Sequence, residues 1–108
     1  MSRVFISYSI EEGKKVNAAA DLTRTKLKAA GIDVWLDKYS IRAGYDWRNE
    51  IDEGIMNRDV LIVLLDKISA KSAYVTYEWA FALGNRKHVI ALKIEDCDIH
   101  SRLNLETV

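Results

Sequence analysis

Cysteine and histidine are scarce in this chain of 108 residues, which contains one cysteine, Cys97, and two histidines, His88 and His100. A single cysteine can form neither an internal disulfide nor a cysteine-based zinc site, and it fits a reducing compartment such as the cytoplasm. The two histidines have no further ligands at metal-binding spacing around them. We therefore expect no metal site and no resident cofactor.

An excess of charge of either sign is also missing, because 16 basic residues balance 16 acidic residues. A nucleic-acid-binding domain needs a basic excess or patch, and a polybasic membrane anchor needs a run of like charges. The longest apolar run, residues 60–65, is far too short to cross a bilayer, and the N-terminus enters a strand-like segment without a signal peptide. We expect neither a nucleic-acid nor a membrane partner.

Proline, internal repeats and low-complexity segments are absent as well, whereas hydrophobic residues make up 49% of the chain. That share is enough for a real core, and the length predicts one domain over residues 1–108. Strand-like and helix-like segments alternate along the chain. The predicted strands cover residues 3–8, 32–36, 59–65 and 88–94, and the predicted helices cover residues 14–30, a short stretch capped by Asp46, and residues 72–85.

This alternation predicts an α/β protein with a flavodoxin-like, three-layer α/β/α arrangement around a parallel sheet. The expected strand order is 2-1-3-4, and Leu103, Leu105 and Val108 would add a fifth strand at the edge, giving four to five strands. Ligands of such sheets bind beyond the carboxyl ends of the strands, where the winding reverses, here between the first and third strands. The segments that open onto this point are residues 8–13, 66–72 and 37–45.

The helix over residues 72–83, SAYVTYEWAFAL, carries the main candidate site residue, Glu78. The apolar stripe of this helix consists of Val75, Trp79, Ala82 and Leu83. Glu78 lies about 60° from the centre of the stripe, and Tyr74 lies one turn before it on the same side. A carboxylate at this position is either held half-desolvated in a crevice or solvates the rim of the helix. Because the helix rises from the predicted ligand-binding edge, we favour the functional interpretation.

Taken in order, five segments of the chain resemble a Toll/interleukin-1 receptor (TIR) domain of bacterial type. They are VFISYS, GIDVWLDKYSIRAGYDWRNEI, DVLIVLL, SAYVTYEWAFAL and KHVIALKI, and the match covers residues 3–94. No single motif is specific, but the ordered set is. Enzymatic members of that family cleave NAD with a glutamate on the helix after the third strand, often with an aromatic residue one turn earlier. The resemblance thus implies Glu78 as the catalytic residue and NAD as the substrate. It also implies Tyr74 as a substrate contact, with an aromatic residue at the edge of the core as the alternative.

The resemblance also implies roles for loop residues. In the family, the loop after the second strand, here residues 37–45, mediates contacts between domains and borders the nucleotide site. Arg42 either faces a phosphate or the acids of a neighbouring domain, or is a solvated loop arginine. Asp37 either orients ribose or starts the turn, and we favour the turn. Tyr8 and Ser9 would line the crevice beside the adenosine and phosphates, with strand-end packing and a helix cap as the alternatives. The expected assembly residues of the loop are Tyr39, Ile41, Gly44 and Tyr45.

The chain departs from the family pattern in three places. Position 74 is a tyrosine where many members have tryptophan, and the loop reads RAG where many have a proline before the glycine. The chain also ends before the usual last strand and helix are complete, so we expect a domain cut from a longer protein.

The predicted function is that of an NAD nucleosidase, which releases ADP-ribose or a cyclic isomer after assembly with other TIR domains. The setting implied by the resemblance is bacterial immune, antiphage or stress signalling. The alternative is a non-enzymatic adaptor that acts through homotypic TIR–TIR binding. A third hypothesis is an enzyme like the nucleoside deoxyribosyltransferases, which share the architecture and rely on a single glutamate.

Overall fold

The four predicted strands form one parallel sheet in the computed structural model, which describes residues 3–8, 14–36, 47–100 and 102–103. The strands are β1 (Arg3–Ser7), β2 (Asp33–Leu36), β3 (Val60–Leu65) and β4 (His88–Lys93). The helices are α1 (Lys14–Ala29), α2 (Trp47–Met56), α3 (Lys67–Lys71) and α4 (Ala73–Gly84). The strand order is β2-β1-β3-β4, so the predicted α/β fold and strand order are confirmed.

The most apolar segment of the sequence forms β3, which lies inside the sheet. β3 pairs with β1 on one side and with β4 on the other, and every residue after Val60 is buried. A continuous run of Val, Ile and Leu suits this position, because helices cover both faces of a parallel sheet. β1 lies between β2 and β3, and its last residue, Ser7, is in register with Val63 of β3.

Side chains of β1 alternate between the two faces of the sheet and so divide the core into two layers. Phe5 belongs to the layer beneath α2 and α4, together with Trp79. Ile6 and Tyr8 belong to the layer beneath α1, together with Ala20. The molecule therefore has the predicted three layers, with α1 on one face of the sheet and α2 and α4 on the other.

A close approach between α2 and the sheet depends on Gly54. A Cβ atom at Gly54 would lie 3.1 Å from ring atoms of Trp35 and 3.2 Å from the ring of Phe5. The rings of Trp35 and Phe5 are themselves 4.6 Å apart. Trp35 thus occupies the space that a side chain at position 54 would need, and it packs against the core from the edge strand β2.

Two segments differ from the predictions. The connector expected over residues 66–71 contains a short helix, α3, because the Asp66 carboxylate accepts a hydrogen bond from the Ser69 N–H at 2.7 Å and caps it. Leu103 is not in a strand: it lies in a 3₁₀ turn and its side chain is buried in the core layer of α4. Leu105 and Val108, the other residues of the predicted fifth strand, lie outside the described residues.

Candidate functional site

Glu78 is the central feature of the candidate site, and it is completely buried. Its exposed fraction is 0%, although it is an ionisable residue on a surface helix, α4. One carboxylate oxygen, Oε1, accepts a hydrogen bond of 2.5 Å from the Ser7 hydroxyl, which is also 0% exposed. The carboxylate therefore points inward, onto the sheet, and does not solvate the rim of its helix.

The sheet geometry explains why Ser7 and Glu78 meet. Ser7 lies two residues after Phe5, so both side chains project from the face of β1 that α4 covers. Ser7 is the last residue of β1 and is in register with Val63 in the next strand. The pair thus lies at the carboxyl end of β1, beside β3, and in such folds ligands bind beyond the carboxyl ends of the strands where the winding of the sheet reverses.

Burial of a carboxylate is costly, so its presence needs an explanation. Removing an ionised group from water costs several kcal/mol even after relaxation, and hydrogen bonds offset only part of this. The described part of the chain buries four polar or charged side chains, Ser7, Asp66, Ser69 and Glu78. Asp66 caps α3, whereas the bond between Ser7 and Glu78 joins residues 71 positions apart and completes no helix or strand end. A group kept in this way is typical of a functional site.

The neighbours of Glu78 on α4 hold the helix in the rotation that turns the carboxylate toward the sheet. The hydroxyl of Tyr77 donates a hydrogen bond of 2.6 Å to Asp52 of α2, and its ring stacks on Phe81 at 5.9 Å. Trp79 packs into the core and against the ring of His100, 5.2 Å away. Contacts on both sides of Glu78 therefore restrain rotation of α4 about its axis.

Of the predicted substrate contacts, Tyr8 and Tyr74 fall within the described ranges. Tyr8 is fully buried in the layer beneath α1, on the opposite face of the sheet from Glu78. That placement favours the strand-end packing role over a lining of the crevice. Tyr74 is in the first turn of α4, one turn before Glu78, as predicted, and its side chain is outside what the structure describes.

The remaining predicted site residues lie outside the described residues. These are Ser9, Asp37 and Arg42 among the substrate contacts, and Tyr39, Ile41, Gly44 and Tyr45 in the assembly loop.

Ser7 is the site residue that sequence reasoning missed. The available signal was a hydroxyl in an otherwise apolar strand, on the same face as Phe5, because serine is not a preferred strand residue. The predicted strand extends one residue further, through Tyr8, which puts Ser7 inside the strand and not at its end.

A cleft of about 440 Å³ lies elsewhere, beside α3 and the segment after β4. It is lined by Lys67, Ala70, Lys71, Asp96, Cys97 and Asp98, and it contains none of the predicted site residues. Its two lysines and two aspartates balance, so it offers no net charge to a ligand. Burial raises the pKa of the Cys97 thiol above its ordinary value, and Asp66, Glu95 and Asp96 add to this against the opposing effect of Lys93. A protonated thiol is a poor nucleophile.

Other classes of site find no support in the described part of the chain. Those residues include no group of three His, Cys, Asp or Glu side chains placed to hold a metal ion. None of the helices in the same ranges combines the length and apolar character that crossing a bilayer needs.

Known proteins share the fold of this chain. A family model described as TIR domain matches residues 4–108. The TIR domain of the Toll-related receptor TRR-2 from Hydra magnipapillata superposes with a TM-score of 0.80 at 20% sequence identity, covering 96% of this chain and 79% of that one. The TIR domains of the activated Roq1 resistosome, which recognises the pathogen effector XopQ, give a TM-score of 0.71 at 18% identity, covering 86% of this chain and 57% of that one.

Nucleoside-processing enzymes share the fold too. The 2-deoxyribosyltransferase of Bacillus psychrosaccharolyticus has a TM-score of 0.75 at 12% identity, covering 98% of this chain and 82% of that one. At these identities a structural likeness shows the fold alone. No protein of curated function matches the sequence. Because the family model extends over almost the whole chain, the chain belongs to the TIR domain family.

Proposed function

We propose that this TIR domain is an NAD nucleosidase, which cleaves the N-glycosidic bond between nicotinamide and ribose with Glu78 as its catalytic residue. The observation that carries the proposal is the complete burial of Glu78 at the carboxyl end of β1, hydrogen-bonded to Ser7. Among enzymatic members of the family, the glutamate at this place is the one that cleaves NAD.

The leaving group makes one carboxylate sufficient. Nicotinamide departs from a cationic pyridinium as a neutral molecule, so the departing nitrogen needs no proton from a general acid. The paired carboxylates that most glycoside hydrolases require are therefore unnecessary. The carboxylate of Glu78 alone therefore suffices for the proposed reaction.

The carboxylate acts on the charge that develops on ribose. As the bond to nicotinamide lengthens, ribose gains oxocarbenium character, and a fixed negative charge beside it lowers the energy of that state. The stabilisation is larger in a site that excludes water, because the effective dielectric constant is lower there. Attack by water then gives ADP-ribose, and attack by the adenine of the same molecule gives a cyclic isomer.

Substrate binding and assembly complete the proposal. Tyr74 would stack against the nicotinamide side, and Ser9, Asp37 and Arg42 would contact ribose and phosphates. Association with other TIR domains through residues 37–45, with Tyr39, Ile41, Gly44 and Tyr45, would activate the enzyme in bacterial immune or stress signalling. The Roq1 resistosome, an assembly that includes TIR domains, supports activation by association as a general mode.

The test measures NAD loss and its products by chromatography, with the domain clustered on a multivalent support. The variant Glu78→Gln keeps the size of the side chain but removes the charge, so we expect at least a 100-fold loss of activity, about the effect of deleting one transition-state contact. Glu53→Gln, an exposed glutamate on α2, is the matched control and should retain the parental rate. Equal rates for Glu78→Gln and the parent protein would refute the assignment.

A second candidate is transfer of a deoxyribosyl group between nucleobases. It is favoured by the fold shared with the Bacillus psychrosaccharolyticus enzyme and by the same buried carboxylate of Glu78, which would then act as a nucleophile. Incubation with a deoxynucleoside and a second free base separates the two candidates. Base exchange without NAD loss would support the transferase, and NAD loss without base exchange supports the nucleosidase.

The non-enzymatic adaptor remains the competing hypothesis of a different class. Under it, NAD stays intact even in the clustered protein, whereas Arg42→Ala or Tyr45→Ala weakens association. An intact NAD pool in the clustered parent protein would therefore favour the adaptor.

A further inference from the structure

Ser7 is a polar residue in a buried strand, so the presence of its hydroxyl needs an explanation. The four consecutive residues of β1 from Val4 to Ser7 are all buried, and Ser7 is the polar one among them. A strand bonds through its backbone, so a valine or an alanine at this position would pair as well and would bury no hydroxyl. The oxygen atom of Ser7 is thus the feature that needs explanation.

The hydrogen bond to Glu78 supplies that explanation. Its oxygen–oxygen distance is 2.5 Å, a short bond between a hydroxyl donor and a carboxylate oxygen. Ser7 has one hydroxyl proton to give, and it gives it to Oε1 of Glu78. The bond fixes the orientation of the carboxylate.

We infer that Ser7 is a positioning residue, which holds the Glu78 carboxylate in the correct orientation for cleavage of the glycosidic bond. This inference rests on the proposed function. Electrostatic stabilisation depends on the placement of the charge to within about 0.5 Å, and sites built on strands are more precise than sites built on loops. β1 is paired on both sides, with β2 and with β3, so it is a rigid anchor for such a contact.

The alternative is that Ser7 merely satisfies a buried polar group. Both roles predict a less stable protein without the hydroxyl, so stability alone does not separate them. A positioning role lowers kcat in the molecules that remain folded, because the transition state loses more than the bound substrate does. A purely structural role leaves the kcat of the folded fraction unchanged.

The experiment compares Ser7→Ala, Ser7→Cys and Ser7→Thr with the parent protein, Glu78→Gln and a control, all clustered in the same way. Ser7→Ala removes the donor, Ser7→Cys keeps the shape with a weak donor, and Ser7→Thr keeps the hydroxyl. The control is Thr23→Val on α1, because the Thr23 hydroxyl bonds only within its helix, to the carbonyl oxygen of Ala19 at 2.7 Å. The readouts are kcat and KM for NAD, corrected for the folded fraction at the assay temperature.

We expect Ser7→Ala to lower kcat by roughly 10- to 100-fold, the value of a hydrogen bond to a charged group, with KM within threefold of the parent value. The order of activity should be Ser7→Thr, then Ser7→Cys, then Ser7→Ala, and Thr23→Val should stay within twofold of the parent. A second readout needs no activity: the decreases in Tm of Ser7→Ala and Glu78→Ala should be less than additive in the double variant, because the two side chains share one bond.

The outcomes are distinguishable. A parental kcat for Ser7→Ala beside an inactive Glu78→Gln would overturn the inference and leave the proposed function intact. Equal losses in Ser7→Thr and Ser7→Ala, or additive changes in Tm, would also overturn it, since packing and not the hydroxyl would then matter. If the clustered parent cleaves no NAD, or if Glu78→Gln cleaves it at the parental rate, the proposed function fails and the positioning role fails with it.

Discussion

Asp66 and Glu78 are both buried carboxylates, but they are held in different ways. Asp66 caps the short helix α3 by accepting a hydrogen bond from the backbone N–H of Ser69, three residues away. Such a cap is a local feature that a helix needs wherever it begins. Glu78 is bonded to Ser7 of β1, 71 residues away in the sequence. No local helix or strand end requires that bond. The comparison separates a carboxylate with a structural explanation from one that calls for a chemical explanation.

The thiol of Cys97 should react slowly with alkylating reagents in the folded protein. Burial raises the pKa of its thiol, so less of the reactive thiolate is present at neutral pH than in an unfolded chain. We expect iodoacetamide to label Cys97 several-fold more slowly in the folded protein than in urea at pH 7.5, with the difference shrinking as the pH rises above the folded pKa. Mass spectrometry of timed samples measures both rates, and equal rates at pH 7.5 would contradict the prediction.

The raised pKa of Cys97 also makes the free energy of unfolding depend on pH. Because the folded pKa of Cys97 lies above the unfolded one, folding favours the protonated thiol. Its contribution to the free energy of unfolding is fully present below the unfolded pKa and is lost as the pH rises through the folded pKa.

Residues of the site differed in how far the sequence could predict them. Glu78 was accessible, because helical spacing and the family resemblance both pointed to it. Ser7 was not, because a strand pattern records only the alternation of faces and does not say which helix residue will meet a hydroxyl. For Tyr8 the sequence left crevice lining and strand-end packing open, and its place beside Ile6 on the α1 side of the sheet favours packing.

At the scale of elements, α1 and α4 end in the same motif with different residues. After α1, the N–H groups of Gly31 and Ile32 bond to the carbonyl oxygens of Lys28 and Leu27, and Gly31 has a φ of 82°. After α4, Arg86 takes the equivalent position with a φ of 61°. Glycine adopts this left-handed conformation without strain, whereas a side chain there costs roughly 1 kcal/mol.

Opposite substitutions at these two helix ends should therefore have opposite effects. Gly31→Ala should lower the free energy of unfolding by about 1 kcal/mol, and Arg86→Gly should raise it by several tenths, because the gain in the folded state is partly offset by the more flexible unfolded chain. Urea unfolding followed by circular dichroism measures both changes. Changes of the same sign in the two variants would show that the helix ends are not equivalent.

Helices and strands could be predicted where the hydrophobic pattern of the sequence is strong. β3 could be predicted because a strand buried on both faces is a continuous run of Val, Ile and Leu. β2 could be predicted because a strand buried on one face alternates between apolar and other residues. The one-turn helix α3 was missed, since five residues are too few to show a helical period and its cap, Asp66, also suits a turn.

The whole molecule has no net charge, with 16 basic and 16 acidic residues. Self-association is thus not opposed by long-range repulsion between copies. Under the proposed function, we expect NAD turnover per molecule to rise at least tenfold when the domain is fused to a dimerising module, because the loop over residues 37–45 then engages a neighbour. Initial rates at a fixed total concentration measure this effect, and a monomeric fusion of equal size is the control.

Ionic strength should have little effect on the NAD turnover of the dimerised protein. Since the attraction between copies does not depend on opposite net charges, raising the ionic strength from 50 to 200 mM, over which the Debye length falls by about half, should change the turnover of the dimerised protein by less than twofold. Turnover that is the same in the dimeric and monomeric fusions would contradict activation by association.

The hydrogen bond between Ser7 and Glu78 connects the first strand of the chain to its last described helix. A polypeptide still emerging from the ribosome has made β1 long before α4 exists, so the acid and its hydroxyl partner come together only once nearly all the fold is in place. Half-made chains and proteolytic fragments that lack either residue therefore cannot form the pair of Ser7 and Glu78. Under the proposed function, such incomplete chains cannot consume the dinucleotide pool of the host.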